Sequence, residues 1–575
     1  MTPWYKFRLR MGSNLGRALS VTCMGLLAVG IGFGAHPKIS PELEGLSASQ
    51  PVDVIVTYNQ APTFAHHARV LVRGGAVRRT LEVVRGGAYR IAAGKLEELA
   101  SDPSVEYISP DHAVQGTLQF AEPAINANIA FQHNYDGTAV GIAIIDSGIM
   151  THPDTSNRIV YNENFVPNIG NDYFDRYGHG THVAGIAAGD AVESNGPIYT
   201  HTFRGIAPNA LLINLRVLDI NGTGQDSSVI AAIQRAIQLK STYNIRVINL
   251  SLGRPVSESY TKDPLCQAVE QAWKAGIVVV VAAGNDGRNN SASTSGYGTI
   301  TAPGNDPYVI TVGAMKDMGT VGRADDQIAS YSSKGPTLFD HIVKPDIVAP
   351  GNQIVSTIPA GLALTNSYQQ NKVLNSYYML NGANQGSDYY FTLSGTSMAT
   401  PMVSGAAALM IQKDSTLTPD TVKARLMKTA SKTFPKSSTA TDPITGQVYT
   451  SYYDLFTVGA GYLDAWAALN STDTVLSNSS AQSPAVQYSN GQVQLVNGAN
   501  MVWGSNMVWG SNMVWGSTVL TGASQVTSSN MVWGSNMVWG SSTLAGFNMV
   551  WGSNMVWGSG TPQGELSKIA IYGEK

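Results

Sequence analysis

VGIAIIDSG, at residues 140–148, is an apolar run that stops at an acidic residue. A near-continuous apolar run of this length is typical of a parallel β-strand that is buried on both faces. Asp146 follows directly, at the carboxyl end of the strand, where open α/β sheets place their ligands and reactive groups. The stretch therefore predicts an α/β fold with a functional carboxylate at Asp146.

Two further stretches place a histidine and a serine at the start of helices. GHGTHVAG, at residues 178–185, opens a small-residue helix with His179, and SGTSMATP, at residues 394–401, opens another with Ser397. Pro401 is expected in the first helical turn, where a missing N–H breaks no intrahelical bond. The chain order Asp, His, Ser is one of three unrelated orders that build the same catalytic geometry. These stretches predict a nucleophilic hydrolase.

The chemistry requires these residue types. A serine hydroxyl is a weak nucleophile at neutral pH, so a base must remove its proton during attack on a carbonyl carbon. Histidine is mostly neutral near pH 7 and suits that role, and an aspartate fixes its tautomer and stabilises the imidazolium. A hydrogen-bond donor for the oxyanion is also needed. Asn285 ends the predicted buried strand that starts at residue 276, and its amide can supply this donor.

These stretches resemble the signature blocks of the subtilisin-like serine proteases, the subtilase family. The resemblance predicts a catalytic domain at residues 121–470 that hydrolyses peptide bonds in protein or peptide substrates. It implies that Asp146 is the orienting acid, His179 the general base and Ser397 the nucleophile. Asn285 and the backbone N–H of the nucleophile would be the oxyanion donors. Further matching blocks lie at residues 204–208, 216–218 and 344–351.

Two glycine-containing edges are predicted to bind the substrate backbone. In subtilases the Ser-Leu-Gly segment that matches Ser251, Leu252 and Gly253 pairs with an extended substrate, and the segment from Gly222 to Gly224 resembles the other side. The resemblance thus implies recognition by strand addition, in which main-chain hydrogen bonds supply the affinity. Such binding suits an endopeptidase of broad preference.

The predicted core is a three-layer α/β sandwich, with a mostly parallel sheet and helices on both faces. This subtilisin-like fold would be preceded by a small α+β propeptide domain and followed by a β-rich repeat tail. Strands are predicted at residues 139–145, 212–217, 246–250, 277–283 and 309–313, and helices at residues 230–239, 265–275 and 397–413.

The N-terminus is predicted to direct export. Basic residues precede the apolar stretch of residues 18–34, so we interpret residues 1–35 as a signal peptide, with an uncleaved anchor as the alternative. The prediction is a secreted or extracytoplasmic protein. Cys23 lies within that stretch, so removal of the signal would leave only Cys266 and preclude an internal disulfide.

Residues 50–117 are predicted to form a separate α+β unit that resembles the inhibitory propeptide of subtilases. Residues 51–58 and 105–111 have strand patterns, and residues 93–100 have the pattern of a short helix. The resemblance implies that this unit assists folding, occupies the cleft and is released by self-cleavage within residues 115–123. The enzyme would then be a zymogen, with its own propeptide as a partner. An ordinary N-terminal domain of the mature protein is the alternative.

Residues 471–575 contain the hexapeptide Asn-Met-Val-Trp-Gly-Ser, which starts at Asn500 and at six later positions. The six-residue period predicts short strands separated by Gly-Ser-Asn turns. Exposed Trp-rich strands are prone to aggregate, so contact with the catalytic domain or with a surface partner is expected. A stacking element without activity is the favoured interpretation. Surface attachment, polysaccharide binding or a role in export is the alternative.

Composition and motifs disfavour other functions. Charged residues make up 13% of the chain and the net charge is −3, so nothing indicates a nucleic-acid-binding surface. His179 and His182 could ligate a metal, but no His-Glu-x-x-His pattern accompanies them. No cofactor is predicted for catalysis. No Asp-x-Asp-x-Asp-Gly loop is present, but structural calcium stays open because irregular sites built from backbone oxygens leave no sequence pattern. The competing class is a binding protein on a disabled protease fold, which is disfavoured because all four catalytic positions hold competent residues.

Overall fold

A computed structural model describes most of the chain between residues 36 and 574. The predicted signal peptide, residues 1–35, lies outside the described residues. None of the described helices is both long and apolar enough to cross a membrane. The described ranges are 36–40, 43, 46–111, 113–116, 124–290, 294–320, 322–442, 446–475, 479–489, 492–496, 513–515, 523–526, 531–533, 537–538 and 573–574.

The N-terminal unit is built on a four-stranded antiparallel sheet. Its elements are β1 (Pro51–Tyr58), α1 (Phe64–Leu71), β2 (Ala76–Leu81), β3 (Gly86–Ala92), α2 (Leu96–Ala100), β4 (Val105–Pro110) and β5 (Ala113–Gly116). The strand order is β2-β3-β1-β4, and β5 lies outside this sheet. Because side chains alternate along a strand, Val54 and Val56 pack in the unit's own core, while Ile55 belongs to the main core of the chain.

The following elements form the central part of the chain. Up to residue 350 they are α3 (Ala127–Gln132), β6 (Gly141–Asp146), β7 (Ile159–Asn164), α4 (His179–Ala188), β8 (Leu211–Arg216), β9 (Thr223–Gln225), α5 (Asp226–Tyr243), β10 (Ile245–Leu250), β11 (Leu252–Gly253), α6 (Pro264–Lys274), β12 (Val278–Ala282), β13 (Ile310–Lys316), β14 (Gln327–Ile328) and β15 (Ile347–Pro350). Beyond residue 350 they are β16 (Ile354–Thr357), α7 (Ala363–Ser367), β17 (Lys372–Leu374), α8 (Asn375–Tyr378), β18 (Gly386–Leu393), α9 (Thr396–Lys413), α10 (Pro419–Thr429), β19 (Ser437–Thr441), β20 (Val448–Tyr452), α11 (Leu455–Val458), α12 (Ala465–Asn470) and β21 (Ala485–Ser489).

An eight-stranded sheet organises this part. Its order is β14-β13-β12-β10-β6-β8-β7, with β15 beside β13. All neighbouring strands are parallel except β13 and β14. Every residue of β6, β12 and β13 is buried, which explains their continuous apolar sequences. The prediction of a mostly parallel sheet is confirmed, and the predicted strand ends agree within a few residues.

Two pairs of helices cover the sheet. α4 packs with α9, and α5 packs with α6. α4 is buried along its whole length, and α9 is buried from Thr396 to Ile411. A helix that is surrounded by protein needs small or apolar residues on every side, which accounts for the Gly and Ala content of both helices. These two buried helices carry the predicted histidine and serine.

The C-terminal region contains short antiparallel strands. They are β22 (Gln492–Val496), β23 (Met513–Trp515), β24 (Ala523–Val526), β25 (Met531–Trp533) and β26 (Met537–Val538). β22 pairs with β21 and β24, and β25 pairs with β23 and β26. β23, β25 and β26 each fall within one copy of the hexapeptide. The expected contacts of the repeats with the catalytic domain or a partner involve side chains outside the described residues.

Candidate active site

Asp146 and His179 meet at the carboxyl end of the sheet. Asp146 is the last residue of β6, and its Oδ1 lies 2.6 Å from Nδ1 of His179, the first residue of α4. Both side chains are fully buried. Asp146 Oδ1 also accepts a hydrogen bond from the N–H of Ser147 at 2.7 Å. A carboxylate fixed at Nδ1 leaves Nε2 as the ring nitrogen that can accept a proton.

The close approach of α4 to the end of β6 depends on glycine. A Cβ at Gly180 would clash with the carbonyl oxygen of Gly148 and lie 3.1 Å from Cβ of Asp146. Gly178, just before the helix, has a φ of +114°, which residues with a side chain rarely adopt. The glycines on either side of His179 therefore allow its ring to reach the aspartate.

Asp175 organises the start of α4, and the sequence analysis missed it. Its Oδ1 accepts a hydrogen bond from the N–H of Gly178 at 2.7 Å, and its Oδ2 accepts from the N–H of Thr181 at 2.9 Å. Burial, together with the nearby charge of Asp146, raises the pKa of Asp175. The available signal was an acidic residue shortly before a helix start, where such side chains cap free N–H groups.

Ser397 is the second residue of α9 and is fully buried. Its hydroxyl donates a hydrogen bond to the carbonyl oxygen of Ser251 at 3.2 Å. The hydroxyl of Ser251 in turn donates to the carbonyl oxygen of Ser397 at 2.6 Å. The N-terminus of a helix favours negative charge, so a tetrahedral oxyanion formed at Ser397 would be stabilised there.

The prediction that Pro401 lies in the first turn of this helix is wrong. α9 begins at Thr396, so Pro401 is an interior residue. Proline has no N–H to donate to the carbonyl four residues earlier, which belongs to Ser397. That carbonyl instead accepts the hydroxyl of Ser251. Because of the proline, the Ser397 carbonyl is free to accept this bond, which connects the serine-bearing helix to a predicted substrate edge.

Asn285 lies beside the start of α9. Its Oδ1 accepts hydrogen bonds from the N–H of Thr396 at 2.9 Å and from the Thr396 hydroxyl at 3.1 Å. Because both donors bind Oδ1, the NH₂ group of the Asn285 carboxamide points away from Thr396. The prediction that Asn285 ends a strand needs correction, since β12 ends at Ala282 and Asn285 lies in the loop that follows.

A segment of the chain itself occupies the groove between the two predicted substrate edges. β5 pairs antiparallel with β9 on one side and with β11 on the other. Gly222 lies in the turn just before β9, with a φ of +73°. The structure therefore brings the two predicted edges together around one extended segment. The opposed pairs are Val114 with Gly224, Gln115 with Thr223 and with Gly253, and Gly116 with Leu252.

His182 is not arranged with His179 as a metal ligand. Nε2 of His182 donates a hydrogen bond to the carbonyl oxygen of Phe391 at 3.1 Å, and burial lowers the pKa of His182 to about 3. Within the described part of the chain, no three His, Cys, Asp or Glu side chains form a group suited to a metal ion. Cys266 is a buried free thiol.

Fold and site together define a class of protein: a serine hydrolase on an α/β scaffold, with a buried Asp–His pair and a helix that carries a buried serine in its first turn. Residues 137–461 match the model of the subtilase family. The chain therefore belongs to the subtilase family and is a subtilisin-like serine peptidase. The family resemblance and the enzyme class predicted from the sequence are both confirmed.

Individual relatives agree with this assignment. Serine protease AprX of Bacillus subtilis (strain 168) is 40% identical over 341 residues, which cover 58% of this chain and 71% of that protein. Subtilisin E of the same strain is 34% identical over 404 residues, which cover 69% of this chain and 89% of that protein.

One solved structure supports the fold alone. Fervidolysin from Fervidobacterium pennivorans, a keratinolytic enzyme related to subtilisin, is similar with a TM-score of 0.54 and 23% identity. The similarity covers 75% of this chain and 62% of the fervidolysin chain. The subtilisin-like fold predicted for the catalytic domain is confirmed.

Proposed function

We propose that this chain is a secreted serine endopeptidase, made as a self-processing zymogen, with Asp146, His179 and Ser397 as its catalytic triad. One observation carries the proposal: the buried Asp146 and His179 are in contact at 2.6 Å, in a domain whose peptide groove holds an extended segment of the chain. The basic and apolar pattern of residues 1–35 supports export.

Hydrolysis would proceed through an acyl-enzyme. Nε2 of His179 takes the proton of the Ser397 hydroxyl as its oxygen attacks the peptide carbonyl carbon, and Asp146 stabilises the imidazolium. The tetrahedral intermediate collapses, the C–N bond breaks, and the imidazolium gives its proton to the leaving amine. Water then attacks the acyl-enzyme with His179 again as base, which frees the acid product and the serine. These side chains supply every proton transfer, so the proposed reaction requires no cofactor.

The oxyanion of the tetrahedral intermediate needs donors that are already oriented. We assign this role to Nδ2 of Asn285 and to the backbone N–H of Ser397. Two hydrogen bonds from Thr396 hold the Asn285 carboxamide by its oxygen and so fix the direction of its NH₂ group. Donors that need no reorganisation stabilise a developing charge most strongly.

Substrates are proposed to bind along the same two edges that hold β5. An extended peptide between Gly222–Gly224 and Ser251–Gly253 forms main-chain hydrogen bonds on both sides. Such bonds depend little on side-chain identity and do not require a chain end. The groove therefore suits endopeptidase action on unfolded or loop segments of protein and peptide substrates.

Labelling with a serine-directed phosphonate tests the assignment of the nucleophile. We expect complete loss of peptidase activity, with the phosphonyl group located on Ser397 by peptide mass spectrometry. Ser251, whose hydroxyl contacts the Ser397 carbonyl, is an internal control that should stay unmodified. Full inhibition with unmodified Ser397 would contradict the proposal. Absence of both labelling and activity would favour a binding protein on a disabled protease fold.

The N-terminal unit is proposed to be an inhibitory propeptide. Ile55, Leu81 and Val84 belong to the same apolar cluster as the central sheet, so the unit packs directly on the catalytic domain. Asp111 Oδ1 accepts a hydrogen bond from the N–H of Ser227, near the start of α5, at 2.8 Å. Because β5 fills the groove, substrate cannot bind until this segment leaves.

The strand register supports one position for the proposed self-cleavage. Gly116 stands opposite Leu252, so continuation of the pairing would bring the next residue opposite Ser251, whose carbonyl oxygen accepts the hydroxyl of the nucleophile. That next residue, Thr117, lies outside the described residues. We therefore propose that the Thr117–Leu118 bond is cut.

Sequencing of the mature N-terminus tests this maturation. The wild-type enzyme is expected to begin at Leu118, whereas Ser397→Ala should keep the N-terminal unit, because the cut depends on the enzyme's own nucleophile. Both proteins are made in the same protease-deficient host and purified in the same way. If the variant is processed like the wild type, self-maturation is rejected. A wild-type N-terminus other than Leu118 would instead contradict the proposed continuation of the β5–β11 pairing beyond Gly116.

A further inference from the structure

The C-terminal Gly573-Glu574 pair contacts a basic site on the catalytic domain. Oε1 of Glu574 accepts hydrogen bonds from Nη2 of Arg288 at 2.8 Å and from the N–H of Ser330 at 2.9 Å. The Ser330 hydroxyl also donates to Oε1, and Oε2 lies 3.3 Å from Nζ of Lys316. Glu574 itself is only 6% exposed. Two cations and two neutral donors thus bind one buried carboxylate.

The backbone of Glu574 is recognised as well as its side chain. Nδ2 of Asn352 donates to the Glu574 carbonyl oxygen at 2.9 Å, and the Glu574 N–H donates to Oδ1 of Asn352 at 2.8 Å. Nε2 of Gln353 donates to the same carbonyl oxygen at 3.4 Å. A side-chain amide that pairs with both backbone groups of one residue fixes the position of that residue.

The residue before the glutamate must be glycine. Gly573 has a φ of +67°, and a Cβ there would clash with Oγ of Ser394 and lie 3.1 Å from Oδ1 of Asn352. The site therefore specifies both members of a Gly-Glu dipeptide: a glycine by shape and an acid by charge.

We propose that this site is a docking site for the chain's own C-terminal Gly573-Glu574, and that docking closes the repeat region into a loop fixed at both ends. The other end is held where β21 begins: the N–H of Val343 donates to the carbonyl oxygen of Pro484 at 2.8 Å, and the N–H of Val486 donates to that of His341 at 2.9 Å. The ligand class is a peptide with Gly followed by Glu. The inference goes beyond the proposed peptidase reaction, because no group of the site belongs to the triad.

Charge favours an occupied site. Arg288 also pairs with Asp442 at 3.1 Å, and within the described part of the chain Lys316 pairs with Glu574. Departure of the glutamate would leave buried positive charge with less compensation, and removing one partner of a buried ion pair is costly. The tail is therefore expected to stay docked in the folded enzyme.

Hydrogen exchange on the full-length Ser397→Ala protein tests the docking. Glu574→Gln keeps the side-chain shape but removes the charge that pairs with Arg288 and Lys316. Amide exchange in the C-terminal peptide and around Ser330 is expected to rise by about tenfold or more, because hydrogen bonds to a charged group are lost. Glu565→Gln removes the same charge from the same segment and should change neither signal.

Three outcomes of this experiment are informative. Equal exchange in the wild-type sequence and in Glu574→Gln would overturn the docking. Protection that grows with protein concentration would show that the tail binds a second copy, which would overturn closure of the loop. Continued digestion of the Ser397→Ala protein by its own activity would count against the proposed nucleophile and not against the docking, which the same pair of variants would then test under phosphonate inhibition.

Binding in trans gives an independent measurement. A chain that ends at Tyr572, with residues 573–575 deleted, leaves the site open for the labelled peptide Ile-Ala-Ile-Tyr-Gly-Glu-Lys. Saturable binding is expected by fluorescence anisotropy, with affinity reduced about tenfold when Glu is replaced by Gln or Gly by Ala. If the deleted chain is folded and all three peptides bind equally or not at all, the proposed specificity is wrong.

Discussion

Ser397→Ala is expected to lower kcat on a peptide substrate by about 10⁶-fold, the size of the loss measured when subtilisin loses its nucleophilic serine. Alanine has no oxygen to form the acyl-enzyme, while His179 and Asn285 keep their positions. Because the variant is expected to keep the N-terminal unit, both enzymes are compared after that unit has been removed by an added protease. Substrate binding should then change little, because the groove is formed mainly by backbone groups. Initial rates with a chromogenic peptide, together with KM, measure both effects.

Ser404→Ala is the matched control for this variant. Ser404 lies on the same helix and is equally buried, and its hydroxyl donates to Oδ1 of Asn249 at 2.8 Å. Its removal costs one internal hydrogen bond, so kcat should stay within a few-fold of the wild type while stability falls by about 1 kcal/mol. A Ser397→Ala enzyme with more than a thousandth of wild-type kcat would contradict the assigned nucleophile.

Asp146→Asn is expected to lower kcat by about 10⁴-fold at neutral pH while the fold is kept, as the same change does in a trypsin-like triad. The NH₂ group of asparagine can donate to Nδ1 of His179, which places the imidazole proton on Nε2. Nε2 then cannot accept the proton of Ser397. Steady-state kinetics measure the loss, and circular dichroism checks that the variant is folded.

The control for Asp146→Asn is Asp414→Asn. Asp414 follows the last residue of α9, about 25 Å along the helix axis from Ser397 at 1.5 Å per residue. The same change of charge should therefore leave kcat unaltered. If Asp146→Asn retains activity within tenfold of the wild type, the carboxylate does not orient the histidine.

The central sheet and the triad candidates could be predicted because their signals are local. β6 and β12 are buried on both faces, and that environment leaves a continuous apolar run in the sequence. Asp146 then falls at the strand end, where parallel sheets open towards their ligands. His179 and Ser397 lie in the first turns of helices that are buried on every side, so Gly and Ala are frequent around them in the sequence.

Features that depend on contacts between distant residues could not be predicted. The interior position of Pro401 depends on such a contact, because the Ser397 carbonyl that receives no N–H from the proline accepts the hydroxyl of Ser251 from another part of the chain. Asp175 differs from these, because its partners Gly178 and Thr181 lie only three and six residues further along the chain and an acidic residue before a helix start is a local signal. The Glu574 site left no local pattern, since 286 residues separate Arg288 from Glu574 and 244 separate Ser330 from it.

If the chain is cut as proposed, the apolar contact between the N-terminal unit and the catalytic domain determines what can separate the two parts. Ile55 and Val84 share one core with the central sheet, so a nick in the backbone does not by itself release the unit. Because ions do not screen apolar contacts, the cut enzyme should stay inactive as a peptidase when the ionic strength is raised. The onset of activity would then be set by how fast the cut but still bound unit is digested. Enzyme molecules that are already active would therefore activate the others.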